Sequence, residues 1–167
     1  LPIVSKRMKP RAVVLLNLTR DQLDRYAETD VIFSLWQSFI KTNNNTRIFV
    51  YSGDENLCKL KGGNITWFNT KENFEPKLKG GFNKIKLNAS YKVCDFLIGK
   101  NVGVKEILNE FEPVFGRGEK LTYKGNNINI FLNKNPASFN QNLQLVMDLS
   151  SGYPQNKNIV VIGLNDN

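Results

Sequence analysis

The sequence predicts an α/β protein with a mostly parallel sheet, followed by a second, partial α/β unit. Apolar runs at residues 12–16 and 47–51 have the composition of strands buried on both faces of a parallel sheet. Apolar residues at helical spacing lie between them, so the order is strand, helix, strand. The stretch FEPVFGRGE, residues 111–119, then interrupts the periodicity. We therefore divide the chain into residues 1–115 and 116–167.

The first unit opens with the strand AVVLL at residues 12–16. A helix follows, with Thr29 or Asp30 as its N-cap. Its apolar residues, with Trp36 and Phe39 assigned to the core, recur at helical spacing: Val31, Leu35, Trp36, Phe39 and Ile40. The last four predicted elements are strands at 47–51 and 65–68 and helices at 88–98 and 104–111.

The second unit begins with a hairpin of residues 121–123 and 128–132, joined by KGNN. Alternation predicts that three of its side chains point inward: Ile128, Ile130 and Leu132. Ser138 is predicted to cap a helix that carries four apolar residues: Phe139, Leu143, Val146 and Met147. The run IVVIGL, residues 159–164, is predicted to be a buried strand.

Composition limits the chemistry that this chain can carry. Its 167 residues contain 41% hydrophobic and 23% charged residues, as in soluble globular proteins. No apolar run approaches the ~20 residues needed to cross a bilayer. The absence of histidine excludes hydrolytic triads and His-based zinc sites within the segment. Two cysteines, Cys58 and Cys94, are too few for a four-thiolate zinc site, so we expect reduced thiols and no zinc.

The net charge of +8 raises the question of nucleic-acid binding. The lysines occur singly or in pairs along the whole chain, and no nucleic-acid-binding motif frames them, so we expect no such partner. The first residues, LPIVSKRMKPR, lack an initiator Met and an apolar signal-peptide segment. We therefore expect this sequence to be cut from a longer chain.

Three stretches carry a family resemblance that spans nearly the whole chain. They are KPRAVVLLNLTRDQLDRYAETD at residues 9–30, GGFN through FEPVFGRGE at residues 80–119, and LNKNPASFNQNL followed by VVIGLNDN at residues 132–167. In this order they resemble the Mur ligase superfamily, and within it the MurT-like subunits of lipid II isoglutaminyl synthase. Gln22 stands where amino-acid-adding Mur ligases usually carry a metal-binding His, and a Gln there is similar to the MurT-like subunits.

The resemblance implies a partial central ATP-binding domain at residues 1–115 and the start of a MurT-like C-terminal domain at residues 116–167. It implies an ATP-dependent carbon–nitrogen ligase of bacterial cell-wall peptidoglycan synthesis, located in the cytoplasm. The family phosphorylates a carboxylate with ATP, and ammonia then displaces the phosphate. Here the product would be the D-isoglutamine of lipid II, formed from D-glutamate with a GatD-like glutamine amidotransferase as partner.

The same resemblance, together with the places of these residues in the sequence, implies a candidate site with ATP and Mg²⁺ as cofactors. Asp21 and Gln22, beyond a buried strand, would be catalytic and contact Mg²⁺ through oxygen. The candidate nucleotide-binding residues are Asn17, Asn83, Arg117, Lys134 and Asn135. Each has a plainer alternative: Asp21 and Gln22 in a helix-capping loop, Asn17 in a turn, Asn83 as an N-cap, Arg117 paired with Glu119 or Glu112, and Lys134 and Asn135 in a loop and cap.

Several positions depart from the family pattern. Lys86 replaces a second adenine-side Asn, and no lysine lies near Gln37, where many Mur ligases carry a carbamylated Lys. The zinc ribbon common in MurT-like subunits is replaced by the short stretch at residues 58–82. A Gly-rich phosphate loop and the end of the C-terminal domain are not in the sequence, so we expect this fragment alone to bind ATP poorly and to be inactive.

Two other functions stay open at this point. One is an amino-acid-adding Mur ligase, which Gln22 and the KNPASFN stretch argue against. The other is a non-catalytic basic binding module or a degenerate remnant, which salt-dependent DNA binding without affinity for nucleotides would support.

Overall fold

The computed structural model describes residues 2–19, 29–72, 74, 80–99, 103–111, 116–151 and 159–163. The fold is mixed α/β. Its helices and strands are, in chain order, α1 (Pro2–Met8), β1 (Ala12–Leu15), α2 (Thr29–Thr42), β2 (Arg47–Tyr51), β3 (Ile65–Phe68), α3 (Gly81–Ile98), α4 (Val104–Glu110), β4 (Arg117–Tyr123), β5 (Asn126–Phe131) and α5 (Pro136–Ser151). None of the described helices is long and apolar enough to span a bilayer.

The first unit contains the predicted parallel sheet, in the order β1-β2-β3. In its register Val13 lies opposite Ile48, and Ile48 lies opposite Ile65. The central strand β2 carries Ile48 and Val50, neither of which is exposed to solvent. Apolar residues on both faces of a strand require cover on both sides, and α2 and α3 supply it.

Helix α2 covers one face of the sheet. Phe39 and Ile40 are buried with Ile48 and Val50, and Trp36 packs against this cluster, which confirms the core assignment of Trp36 and Phe39. Val31 and Leu35 share the helical spacing but lie outside this core, because each is 49% exposed. The apolar residues cover a wide arc of the helix, and packing selects the side carrying Ile32, Phe33 and Trp36. The helix also begins at Thr29, so neither Thr29 nor Asp30 is the N-cap.

Helix α3 covers the other face. Ala89 packs with Phe49 and Phe68, and Ile85 and Val93 lie around them. The helix begins at Gly81, seven residues before the predicted start at residue 88. Lysines at 84 and 86 hide the apolar spacing of its first two turns in the sequence. The next helix, α4, matches its prediction closely.

The second unit begins with the predicted hairpin, in which β4 and β5 are antiparallel. Lys124 and Gly125 form its turn with φ values of 48° and 75°, the left-handed pair that suits the twist of a two-residue hairpin loop. Strand β4 starts at Arg117, four residues before the predicted residue 121, and a register irregularity lies between Arg117 and Glu119. The inward prediction for Ile128, Ile130 and Leu132 was wrong, since all three are exposed.

Helix α5 starts at Pro136, two residues before the predicted cap. Asn135 is the capping residue, because its Oδ1 accepts a hydrogen bond from Ser138 N at 2.8 Å. Of the four apolar residues, Leu143 and Met147 are exposed, whereas Phe139 and Val146 are half-buried; Leu145 is buried. The packed side of the helix therefore includes Leu145 and overlaps the apolar spacing only in part.

The predicted final strand does not form in the described residues 159–163, and Leu164 lies outside them. Residues 159–162 are between 55% and 87% exposed rather than buried. A run of β-branched residues has the composition of a strand, but a strand exists only where a neighbour pairs with it. Within the described part of the chain, no strand pairs with this segment.

Candidate functional site

One edge of the parallel sheet collects the loops that follow all three strands. Asn17 lies two residues beyond β1, Ser52 directly follows β2, and Asn69 directly follows β3. We call this edge the carboxyl edge. In open α/β sheets, ligands bind beyond the carboxyl ends of the strands, which makes this edge the first place to look for a site.

Helix α3 brings its first turn to the same edge. Near its C-terminal end, the Phe96 ring packs edge-on against Phe49 at 5.8 Å, and the Arg47 guanidinium lies over Phe96 at 5.9 Å. Ala89, two turns earlier in the helix, packs with Phe49 and with Phe68, the last residue of β3. The helix therefore runs antiparallel to the strands, and Asn83 in its first turn lies toward the carboxyl edge.

An aspartate clamps two of the loops at this edge together. Asp54 Oδ2 accepts a hydrogen bond from Leu18 N at 3.0 Å, although the two residues are 36 positions apart. Its other oxygen, Oδ1, accepts from Asn56 N at 3.0 Å and from Leu57 N at 2.9 Å. The Asn56 side chain completes the arrangement, because its Nδ2 donates to Leu18 O at 3.2 Å. We call Asp54 and Asn56 the Asp54 clamp.

The clamp fixes the backbone next to Asn17. Leu18 is only 4% exposed and packs in the core with Leu15 and Leu57. Its N–H and C=O are both held by side chains from the loop after β2. Asn17, the residue before it, is exposed. A short segment with one buried side chain and two satisfied backbone groups thus presents an amide side chain to solvent.

Asn83 occupies the third position of α3 rather than the N-cap, and this corrects the capping alternative. Gly80 is the N-cap, with a φ of 105°, and Asn83 N donates to Gly80 O at 3.1 Å. The Asn83 side chain is half-buried. Lys86, one turn later, lies with its Nζ 5.0 Å from the centre of the Phe82 ring. An amide side chain and a lysine therefore share the first two turns of the helix.

The remaining described candidates lie at the open end of the hairpin. Arg117 is the first residue of β4 and lies opposite Phe131, the last residue of β5. Lys134 and Asn135 follow Phe131 within four residues. The Asn135 amide oxygen is used in capping α5, as its plainer alternative proposed. Glu119 Oε2 accepts from Gly116 N at 3.1 Å, so that carboxylate holds the backbone ahead of β4.

Asp21 and Gln22, the candidate catalytic and magnesium-binding residues, lie outside the described residues. Among the residues that the structure does describe, no three acidic, Cys or His side chains form a group that could hold a metal ion. Both cysteines are free; Cys58 is exposed, and its Sγ donates to Ser52 O at 3.1 Å.

Two cavities, of about 350 and 460 Å³, lie at the opposite edge of the sheet. They share Arg47, at the start of β2, and Phe96. No predicted site residue lines either of them. Both are shallow surface depressions, and the larger one is flanked by Lys92, which is paired with Glu72 at 3.1 Å. We base the candidate site on the carboxyl edge because its polar groups are oriented by hydrogen bonds.

Sequence reasoning missed the Asp54 clamp. The signal was the turn sequence SGDEN directly after a buried strand, where an aspartate commonly accepts hydrogen bonds from its own loop. The bond to Leu18 could not be read from that pattern, because it joins loops that only the parallel pairing of β1 and β2 brings together.

The chain was compared with protein-family models and with curated proteins, and neither comparison gave a match.

Proposed function

We propose that this chain is part of the ligase subunit of an ATP-dependent amide synthase of the Mur ligase superfamily. In this proposal the enzyme is MurT-like and converts the D-glutamate of lipid II to D-isoglutamine. The division at residues 115 and 116 would separate the central ATP-binding domain from the C-terminal domain. The support from sequence is the order of the three motifs at residues 9–30, 80–119 and 132–167.

The observation that supports the proposal is that parts of two of these motifs lie toward the same edge of the sheet. Asn17 comes from the first motif and Asn83 from the second, 66 residues apart, yet the loop after β1 and the first turn of α3 lie at one edge. An amide side chain offers both the donor and the acceptor that the edge of an adenine requires. The strands are parallel, and ligands of open parallel sheets bind beyond the carboxyl ends of the strands.

The donor set at the edge is compatible with a nucleotide and with Mg²⁺. Hard cations prefer oxygen ligands, which Asn17 offers among the described residues and which Asp21 and Gln22 would add. When bound, ATP would supply the phosphoryl group that activates a carboxylate, and Mg²⁺ would neutralise charge on the phosphates. This chain's own residues would bind and orient those groups, a role in which fixed donors stabilise developing charge.

The open end of the hairpin would provide the second set of contacts. Arg117 carries a planar fork of donors suited to phosphate oxygens, and Gly116 and Gly118 on either side leave room for close approach of the backbone. Lys134 adds an exposed positive charge on the same end of the hairpin. For Asn135 we now favour the capping role over nucleotide contact, because its side chain is engaged with Ser138.

The proposed enzyme takes ammonia from a GatD-like glutamine amidotransferase and acts in the cytoplasm. In its reaction the substrate carboxylate would attack the γ-phosphorus of ATP, with ADP as the leaving group. Ammonia would then attack the acyl carbon, phosphate would leave with the bonding electrons, and the new amide nitrogen would lose one proton to phosphate or solvent. These two reaction steps need phosphate-binding groups and a cation more than they need an acid–base pair. That requirement suits a chain without histidine.

The test is an amidation assay with the full-length protein. It would receive Mg·ATP, ammonium as nitrogen donor and a lipid II analogue carrying D-glutamate, with phosphate release and product mass as readouts. We expect Asn83→Ala to weaken Mg·ATP binding by about tenfold, the effect of losing one well-placed hydrogen bond. Asn129→Ala, at an exposed position of β5, is the matched control and should leave Mg·ATP binding unchanged.

The outcomes separate the alternatives. Product formation with a free amino acid in place of ammonium would favour an amino-acid-adding Mur ligase. Absence of nucleotide affinity, together with DNA binding that weakens steeply as salt rises, would replace the proposal with a basic binding module.

A further inference from the structure

The Asp54 carboxylate makes two kinds of contact, and only one of them is local. Oδ1 accepts from Asn56 N and Leu57 N and so closes the turn that starts the 3₁₀ helix Leu57–Lys59. This is what an aspartate at such a turn normally does. Oδ2 serves a different purpose, since its partner is Leu18 N in the loop after another strand.

Three separate interactions fix the position of Leu18, although it lies in a loop. Asp54 accepts from its N–H, Asn56 donates to its C=O, and its side chain is buried in the core. The two side chains take the place of a neighbouring strand and continue the pairing of β1 with β2 beyond the last ladder position at Leu15 and Val50. The backbone conformation of the next residue back, Asn17, is thereby restricted.

We propose that Asp54 and Asn56 are positioning residues, which hold Asn17 in the orientation that a nucleotide at the carboxyl edge requires. This inference rests on the proposed function, in which Asn17 contacts the nucleotide. Asp54 does not itself reach the ligand in this scheme. It acts through the Leu18 backbone, and the benefit is that the orientation of Asn17 is set before the ligand arrives.

Asp54→Asn separates the two contacts of the carboxylate. With its Oδ1 still facing Asn56 N and Leu57 N, the turn is kept. The new Nδ2 then faces the Leu18 N–H, donor against donor, and the link to the β1 loop is lost. Asn56→Ala removes the bond to Leu18 O, together with the exposed contact from Lys59 Nζ to Asn56 Oδ1 at 3.4 Å, and provides a second variant. Glu55→Gln is the matched control, because it removes one charge from the same exposed turn.

The first measurement is hydrogen exchange of the Leu18 amide in the full-length protein. We expect Asp54→Asn to speed its exchange by about tenfold, while amides in the centre of β2 keep their protection. The second is Mg·ATP affinity, which we expect to fall by about three- to tenfold in Asp54→Asn and less in Asn56→Ala. Glu55→Gln should leave both quantities unchanged.

A double-mutant cycle with Asn17→Ala distinguishes positioning from a general structural role. If Asp54 acts through Asn17, Asp54→Asn weakens Mg·ATP binding in the wild-type background and has little further effect in Asn17→Ala. Additive losses would overturn the inference and leave the proposed function in place. Lack of Mg·ATP affinity in the wild type would overturn the proposed function and this inference with it. Equal losses of Mg·ATP affinity in Asp54→Asn and Glu55→Gln would show that the effect comes from the lost charge alone, and would overturn the inference.

Discussion

The parallel sheet and the hairpin contain similar apolar residues but bury them to very different extents. In the parallel sheet, Ile48 and Val50 are 0% exposed. In the hairpin, Leu121 is 45% and Ile128 39% exposed, although the two lie opposite each other on the same face. The difference in burial comes from the helices that cover each sheet. Helices α2 and α3 cover the two faces of the first sheet, whereas this face of the hairpin is exposed.

This comparison shows where the stability of the chain should come from. Burial of apolar area is the main favourable term in folding, and a two-stranded hairpin without cover is marginal by itself. We therefore expect the first unit to carry nearly all of the free energy of unfolding. The predictions below test that expectation with matched substitutions in the two regions.

The largest effect is expected for Ile48→Ala in the centre of β2. Removing a fully buried side chain costs transfer free energy and leaves a cavity, so the free energy of unfolding should fall by about 2–5 kcal/mol. Ile130→Ala makes the same chemical change on the hairpin, where the side chain is 39% exposed. Its cost should stay below about 1 kcal/mol. Urea unfolding followed by circular dichroism measures both, and equal costs would show that the hairpin face is covered in solution.

The same contrast explains which parts of the fold could be predicted from the sequence. Strands β2 and β3 were predicted with their observed bounds, because Arg47–Tyr51 and Ile65–Phe68 are short apolar runs with turn residues on both sides. The strand at residues 159–164 had the same composition and was wrong where the structure describes it. Composition reports the ability to be buried, and only the neighbouring elements decide whether burial takes place.

The site divides in a similar way. Asn17 and Asn83 could be selected from motifs, and the turn SGDEN could have indicated an aspartate that accepts hydrogen bonds from its own loop. The hydrogen bond from Leu18 N to Asp54 could not be selected, because it depends on β1 and β2 being neighbours in one sheet. The start of α3 was placed seven residues too late for a related reason. Between Gly81 and Leu87 the lysines at 84 and 86 interrupt the apolar residues, and the packing of Ile85 and Ala89 against the sheet decides where the helix lies.

A smaller effect is expected for Asn64→Ala in the first unit. The Asn64 Nδ2 donates to Asn43 O and Thr46 O, both at 3.0 Å, and approaches Ile40 O at 3.4 Å. It thus satisfies carbonyls at the C-terminal end of α2, where a helix leaves acceptors without partners, and in the turn that leads to β2. We expect a loss of about 1–3 kcal/mol in the free energy of unfolding. Asn129→Ala on β5 is the matched control, and thermal unfolding that shifts equally in both variants would contradict the prediction.

The smallest effect is expected for Gly125→Ala in the hairpin turn. Gly125 has a φ of 75°, and an added Cβ would meet no atom within 4 Å, so the cost is purely conformational, about 1 kcal/mol. Gly63→Ala is the matched control in the first unit, because its Cβ would also meet nothing and its φ lies outside the left-handed region. The expected result is faster amide exchange in β4 and β5 alone, with β2 unchanged. Faster exchange throughout β2 as well would mean that the hairpin and the parallel sheet unfold as one cooperative unit. The contrast between the two regions would then describe exposure and not stability.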